Sequence, residues 1–346
     1  MNDERCVREA GFWAPDADPS TLAVRCALCA HRCRVAEGKR GICGVRENRG
    51  GILFTLVYGR LVSNNIDPIE KKPLFHFLPG SLSQSIAVAG CNFRCAHCQN
   101  FSISQPPREG AQLPGDYVGP DEVVEIAVAT GAESISYTYT EPTIMAEYAL
   151  DVMAEAHRRG LKNVFVSNGY MTPELMGRMV GLLDAINIDV KSISDEFYRK
   201  VCGATLEPVL EAVKVLWESG VWVEATTLII PGHNDSEVEL RELANFIASV
   251  DEDLPWHVTG FYPTYKMSDV SPTPATLLTD ARKWGLEEGL HHVYQGNRPG
   301  SGGEDTFCPR CSFRVIERRG FSMIESQLDQ SGQCPSCGAV VAGVFG

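Results

Sequence analysis

The residues of this sequence best able to do chemistry are its 13 cysteines, and their spacing sorts eleven of them into three groups. Cys91, Cys95 and Cys98 sit in GCNFRCAHCQN as C-x3-C-x2-C. Three thiolates at this spacing can hold three irons of a cubane and leave the fourth iron open for a substrate or cofactor, whereas closure by four thiolates suits electron transfer. A zinc site with a distant fourth ligand is the bland alternative. The place of the motif directly after a predicted strand, with no fourth cysteine close by, favours an iron–sulfur cluster. Cys308, Cys311, Cys334 and Cys337 form two C-x2-C knuckles 22 residues apart, CPRC and CPSCG, the spacing of a zinc ribbon. Four thiolates leave no position for water, so Zn2+ there would be structural. Cys26, Cys29, Cys33 and Cys43, spaced C-x2-C-x3-C-x9-C, can close on zinc or on a second iron–sulfur cluster, with zinc the favoured reading. Cys6 and Cys202 stand alone and read as ordinary thiols.

Around the first cysteine group, Arg25, Arg32, Arg34, Lys39, Arg40, Arg46 and Arg49 face only Glu37 and Glu47 in sequence. The excess reads as compensation for a negatively charged tetrathiolate or, more sharply, as a docking face for an acidic partner. The chain as a whole carries a formal charge of -13, which disfavours a general nucleic-acid binder. Near the C-terminus Arg310, Arg314, Arg318 and Arg319 are almost balanced by Glu317, Glu325 and Asp329. No apolar run reaches the roughly 20 residues of a membrane span, and the first residues lack the apolar core of a secretory signal. The expected location is therefore cytoplasmic, where cysteines serve metals and redox chemistry more than disulfides.

These groups need a scaffold. From residue 85 to 295 short apolar runs alternate with helix-period stretches, the pattern of βα units around a parallel sheet. Strands are expected near 85–89, 134–139, 163–167, 185–190, 221–230, 256–261 and 291–294. Asp121 and Asp235 are candidate helix caps, and Pro173 suits a first helical turn. The fold class is α/β, a partial (β/α)6-type barrel with small Cys-rich metal-binding modules at both ends. The expected division is 1–50, an N-terminal metal-binding module; 51–84, a hairpin turning at Gly59 and Arg60 plus a linker; 85–300, the barrel; and 301–346, the ribbon after the loop GNRPGSGGED. Function in such barrels gathers at the carboxyl ends of the strands. There the sequence offers Glu141 in YTYTEP, Ser167 and Asn168 in SNG, Asp189 and Lys191 in DVK, the IIPGHND loop, and His257 before GFYPTYK. Each also has a plain structural reading: a helix cap for Glu141, a turn for Asn168, an internal ion pair for Asp189 and Lys191, and a core ring for His257.

The cluster motif and its setting resemble the radical S-adenosylmethionine (SAM) superfamily. That resemblance implies a 4Fe-4S cluster on Cys91, Cys95 and Cys98, with S-adenosyl-L-methionine bound through its amino and carboxylate groups on the open iron. Where the superfamily often has an aromatic residue, His97 would pack on the adenine. SNG, DVK and IPGHND further resemble the glycyl-radical-enzyme activases, such as pyruvate formate-lyase activating enzyme. TEP matches the end of their Gly-Gly-Glu element, with Tyr139 and Thr140 in place of both glycines. By that resemblance Glu141 would receive the SAM ammonium, and Asn168, Asp189, Lys191 and His257 would contact SAM. Taken over nearly the whole chain, CALCAHRCRVAEGKRGICGVREN, DPIEKKPLFHFLPG, GCNFRCAHCQN, SISYTYTEP, IIPGHND, VYQGN, CPRC and CPSCG resemble the radical SAM component of the AmmeMemoRadiSam system. The resemblance implies a radical SAM oxidoreductase. It also implies a flavodoxin or ferredoxin electron donor, a protein or small-molecule substrate, and two associated system proteins as partners. Tyr262, Tyr265 and Lys266 would line the substrate space, and Glu70, Lys71 and His76 would help close its mouth. A zinc-only scaffold or nucleic-acid module, or a plain iron–sulfur electron carrier, are the readings from other classes.

Overall fold

Short β-branched runs flanked by glycine turns build the sheet strands of this protein, and amphipathic stretches between them build the covering helices. The computed structural model describes residues 4–107, 112–298 and 302–346. Part of the expected 296–305 loop, residues 299–301, and the first three residues of the N-terminal module lie outside the described residues. The chain forms two compact units, Met1–Asp67 with Leu82–Asp184 and Cys202–Ala204, and Pro68–Ser81 with Ala185–Val201 and Thr205–Gly346.

The first unit holds three parallel strands, β1 (Leu82–Val88), β2 (Ser134–Tyr137) and β3 (Lys162–Ser167), in that order. They are buried almost throughout, as parallel strands covered on both faces are. Serines inside them are satisfied by one another: Ser83 Oγ lies 2.5 Å from Ser136 Oγ and accepts from Ser134 Oγ at 2.9 Å. The helices are α1 (Pro120–Ala129), α2 (Ala146–Arg158) and α3 (Pro173–Met179). Pro173 stands in the first turn of α3, with the Thr172 hydroxyl accepting from Leu175 N. The cap of α1 is Gly119 rather than Asp121, which lies one residue inside the helix.

The expected hairpin at Gly59 is replaced by another. Ile52–Thr55 turns back on Arg46–Arg49 through Gly50 and Gly51, both at positive φ (62° and 83°), the backbone that a two-residue hairpin turn demands. The next strand, Arg60–Pro68, pairs instead with Asp116–Tyr117.

The second unit holds four parallel strands, β4 (Ala185–Asp189), β5 (Trp222–Ile229), β6 (Trp256–Gly260) and β7 (Val293–Gly296). With them run α4 (Glu207–Glu218), α5 (Glu237–Val250) and α6 (Ala275–Glu287). Ser236 caps α5 by accepting from Glu239 N, one residue past the expected Asp235. A three-stranded antiparallel ribbon, Thr306–Phe307, Arg314–Arg319 and Ser322–Ser326, closes the chain over a small core of Val315, Ile316 and Val341.

Candidate functional site

The loop leaving β1 begins at Gly90, whose φ of 110° and surroundings suit no other residue. A Cβ there would lie 2.9 Å from Val45 Cγ1 and 3.0 Å from the Cys43 carbonyl oxygen. The loop then carries Cys91, Cys95 and Cys98. Phe93 N donates to Cys91 Sγ at 3.3 Å, Asn168 Nδ2 approaches the same sulfur at 3.9 Å, and Cys98 Sγ sits 3.2 Å from Ser104 Oγ. His97 is buried in the same loop.

Glu141 follows β2 and is 2% exposed. Its Oε1 accepts from Thr143 N, Thr143 Oγ1 and Ser167 Oγ at 3.0, 2.6 and 2.7 Å, and its Oε2 accepts from Asn168 N at 2.9 Å. The carboxylate therefore caps the short 3-10 helix Pro142–Met145, as the plain reading has it, and also fixes the end of β3. Asn168 in turn donates from Nδ2 to Asn92 Oδ1 at 2.7 Å. Glu141, Ser167 and Asn168 thus reach the residue next to Cys91 through direct hydrogen bonds. Burial raises the pKa of Glu141 against these donors.

Tyr139 and Thr140 occupy the positions of the two glycines, and the chain still makes a glycine-like turn. Tyr139 has φ 62°, its carbonyl accepts from Asn100 Nδ2 at 2.7 Å, and its hydroxyl donates to Asp67. Burial first and Asp67 second raise that phenol to about 12. The side chain is thereby held away from its own backbone turn.

In the second unit Asp189 ends β4, and Lys191 Nζ lies 2.9 Å from its Oδ2, the ion-pair geometry of the plain reading. Asn234 of IIPGHND, which spacing alone does not single out, clamps this corner: its Nδ2 donates to the carbonyls of Lys191 (2.6 Å) and Leu228 (2.9 Å), while its Oδ1 accepts from Ile230 N (2.6 Å). His257 requires a correction. It is the second residue of β6, not its end, and is 1% exposed. Its Nε2 lies 2.7 Å from Glu224 Oε2, with the ring walled in by Phe75 and Tyr294. Glu224 also accepts from Phe75 N, His76 N and Trp222 Nε1, so a strand carboxylate that periodicity treats as one more residue organises this core. His76 and Glu70 likewise belong to the buried core rather than to a mouth, His76 Nε2 sitting 2.5 Å from Tyr294 OH and Nδ1 2.6 Å from the Ala342 carbonyl. Tyr262 remains exposed, and Tyr265 sits at φ 50°.

The four ribbon sulfurs, of Cys308, Cys311, Cys334 and Cys337, all lie within 4.8 Å of one another. Cys308 and Cys337 are 3.6 Å apart and Cys311 and Cys334 3.7 Å. A metal held about 2.3 Å from each sulfur of a tetrahedron separates them by about 3.8 Å, so this group can hold a metal ion without rearrangement. Six of the seven basic residues of the N-terminal module pair with carboxylates of the same chain. Arg46 is buried against Glu147, Arg40 and Arg49 pair with Glu47, Arg32 pairs with Glu174, and Arg25 and Arg34 pair with Asp16. Among the described residues no helix is long and apolar enough to cross a membrane.

Comparison with known proteins places this geometry. Residues 85–244 match the radical SAM superfamily model. An uncharacterized protein of Methanocaldococcus jannaschii is 45% identical over 96% of this chain and 98% of its own length. The chain belongs to the radical SAM superfamily. The pyruvate formate-lyase 1-activating enzyme of Escherichia coli (strain K12) is 23% identical, over 59% of this radical SAM chain and 88% of that enzyme. Streptococcus suis SuiB bound to the precursor peptide SuiA shares the fold with a TM-score of 0.50 at 13% identity, over 66% of this chain and 51% of that one. Membership and the named activases make the protein an enzyme.

The donor set fits the cluster that the superfamily implies. Burial pushes the Cys91 thiol up, and Glu141, Cys95 and Cys98 add to the rise through their negative charge. Like charges in one buried place ionise together only when cations sit among them, and thiolate-bound irons supply those cations.

Proposed function

We propose that the protein is a radical SAM enzyme in which Cys91, Cys95 and Cys98 hold a 4Fe-4S cluster and the open iron takes SAM. When bound, the pair supplies reductive cleavage of SAM to methionine and a 5'-deoxyadenosyl radical, which takes hydrogen from a protein or small-molecule substrate. The observation that carries this reading is the hydrogen-bonded run from Glu141 through Ser167 and Asn168 to Asn92 beside Cys91. It gives the strand ends of the first unit a fixed relation to the cluster loop.

Within this reading each residue has a separate task. Cys91, Cys95 and Cys98 orient the cluster. Glu141 holds Ser167 and Asn168 in place and keeps one lone-pair direction of Oε2 for the SAM ammonium. Tyr139, turned away to Asp67, leaves its backbone open to the cofactor. His97 packs on the adenine, and Asn168, Asp189 and Lys191 are further SAM contacts by their likeness to the activases. Zn2+ at Cys308, Cys311, Cys334 and Cys337 is supported by their sulfur spacing and serves structure.

A reduced flavodoxin or ferredoxin supplies the electron, and the site of action is the cytoplasm. Activation of a glycyl radical enzyme is the second reading, favoured by the activase relatives. The two other AmmeMemoRadiSam proteins are the proposed partners. Anaerobic reconstitution followed by dithionite and SAM tests the reading through 5'-deoxyadenosine measured by mass spectrometry. Product from the wild type and none from Cys95→Ala is expected. A cluster-loaded wild type that binds no SAM would reject it.

A further inference from the structure

The cluster loop carries a buried donor that no protein group answers. Asn92, next to Cys91, is 1% exposed, and its Nδ2 has no hydrogen-bond partner among the described residues. A buried N–H group without an acceptor destabilises a fold, and a bound group that accepts from it removes that cost.

The orientation of this amide is fixed by a run of donors that starts on the backbone. Tyr170 N donates to Asn168 Oδ1 at 3.0 Å, which leaves Asn168 Nδ2 as the donor end of that side chain. Asn168 Nδ2 then donates to Asn92 Oδ1 at 2.7 Å, so Asn92 turns its Nδ2 to the other side. Flipping Asn92 alone would face nitrogen to nitrogen, and flipping both amides would do so at Tyr170. The backbone is held as well: His31, between Cys29 and Cys33 of the N-terminal module, has its Nε2 2.9 Å from the Asn92 carbonyl oxygen.

This fixed amide stands beside sulfur. Its Oδ1 is 3.8 Å from Cys91 Sγ, and the two ends of a carboxamide are only about 2.3 Å apart, so Nδ2 stays close to that sulfur. Other donors gather at the same place, Phe93 N at 3.3 Å and Asn168 Nδ2 at 3.9 Å from Cys91 Sγ. The thiolates and sulfides of a cluster are negative and accept N–H groups, whereas SAM belongs at the corner iron that no cysteine holds. The acceptor nearest Asn92 is therefore cluster sulfur.

We propose that Asn92 Nδ2 donates to a sulfur of the cluster on Cys91, Cys95 and Cys98 and raises that cluster's reduction potential. Reduction adds negative charge to the cluster, and a donor to its sulfurs favours the more negative state. The inference rests on the cluster assignment above and is independent of SAM cleavage.

The test uses full-length protein with isotope-labelled amide nitrogen in its asparagines, reconstituted anaerobically, reduced with dithionite and read by hyperfine spectroscopy without SAM. Asn92→Leu keeps the side-chain volume and removes the amide. The wild type should show a nitrogen coupling component that the variant lacks. The midpoint potential of the variant should be lower by about 59 mV, a tenfold drop in the reduced-to-oxidised ratio at fixed potential. Should Asn92→Leu not hold iron, Asn92→Asp keeps the oxygen that Asn168 needs and loses both N–H groups, and the same component should vanish. An unchanged potential in iron-loaded Asn92→Leu, no component lost on either substitution, or a component that appears only after SAM is added would overturn the inference and leave the cluster assignment standing. Wild-type protein without a reducible iron–sulfur cluster would overturn both.

Discussion

The ribbon and the cluster loop both present cysteines to a metal, yet they present them differently. In the ribbon, four sulfurs pair at 3.6 and 3.7 Å within a hydrophobic cluster that includes Val315, Ile316 and Val341. Each knuckle is closed by its own backbone, Cys308 N donating to the Phe313 carbonyl and Cys334 N to the Ala339 carbonyl, both at 2.8 Å. The loop has three sulfurs, and the polar groups near Cys91 include Glu141 and Asn168, which belong to other strand ends. A site saturated by its own ligands holds structure together. A site short of one ligand and wired to surrounding strands is equipped to bind something else.

The largest expected effect sharpens this contrast by breaking each side alone. Cys334→Ala should lose about one zinc per chain and lower the thermal midpoint while leaving the loop's iron in place, as expected for a structural tetrathiolate. Cys95→Ala should do the reverse, losing iron and keeping zinc. Metal analysis and calorimetry of both variants decide it; joint loss of iron and zinc in either one would erase the distinction.

A smaller effect concerns a residue that the strand pattern suggests for the cofactor and the structure places in a core. His257→Ala leaves Glu224 without one of its four buried donors, which should cost about 1–3 kcal/mol of stability. SAM affinity of the folded variant, measured by equilibrium dialysis, should stay within twofold of wild type. A tenfold loss with unchanged stability would return His257 to the cofactor site.

The smallest effect is a pH dependence of the same core. Burial depresses His292 to about 4 and also lowers His76 well below the ordinary histidine value. The unfolded chain then binds protons that the folded one refuses. The stability carried by these neutral rings is complete above about pH 6.5 and is lost as pH falls towards 4. The thermal midpoint should be flat above neutrality and decline through that window; a midpoint that rises on acidification would contradict it.

The parts legible in the sequence were those set by local pattern. Parallel strands announce themselves as short apolar runs, and all seven expected strands form. Paired C-x2-C knuckles carry their geometry within a few residues, so the ribbon was legible too. Partners distant in sequence were not. Ile52–Thr55 looked ready to pair forward across Gly59, but the Gly50–Gly51 turn lets it pair backward, and both turns read alike locally. Arg46 looked like one surface charge among seven because its partner, Glu147, is 101 residues away. Glu224 and Asn234 escaped notice for the same reason, since their roles depend on backbone donors and acceptors contributed by other loops.

The account rests most directly on SAM reaching the cluster held by Cys91, Cys95 and Cys98. Electron paramagnetic resonance of dithionite-reduced wild-type protein, recorded with and without SAM, reports on that cluster. A reduced-cluster signal whose g values shift on adding SAM, and which disappears in Cys95→Ala, is the expected result. An iron-loaded, reducible cluster whose signal SAM leaves unchanged would contradict the central claim.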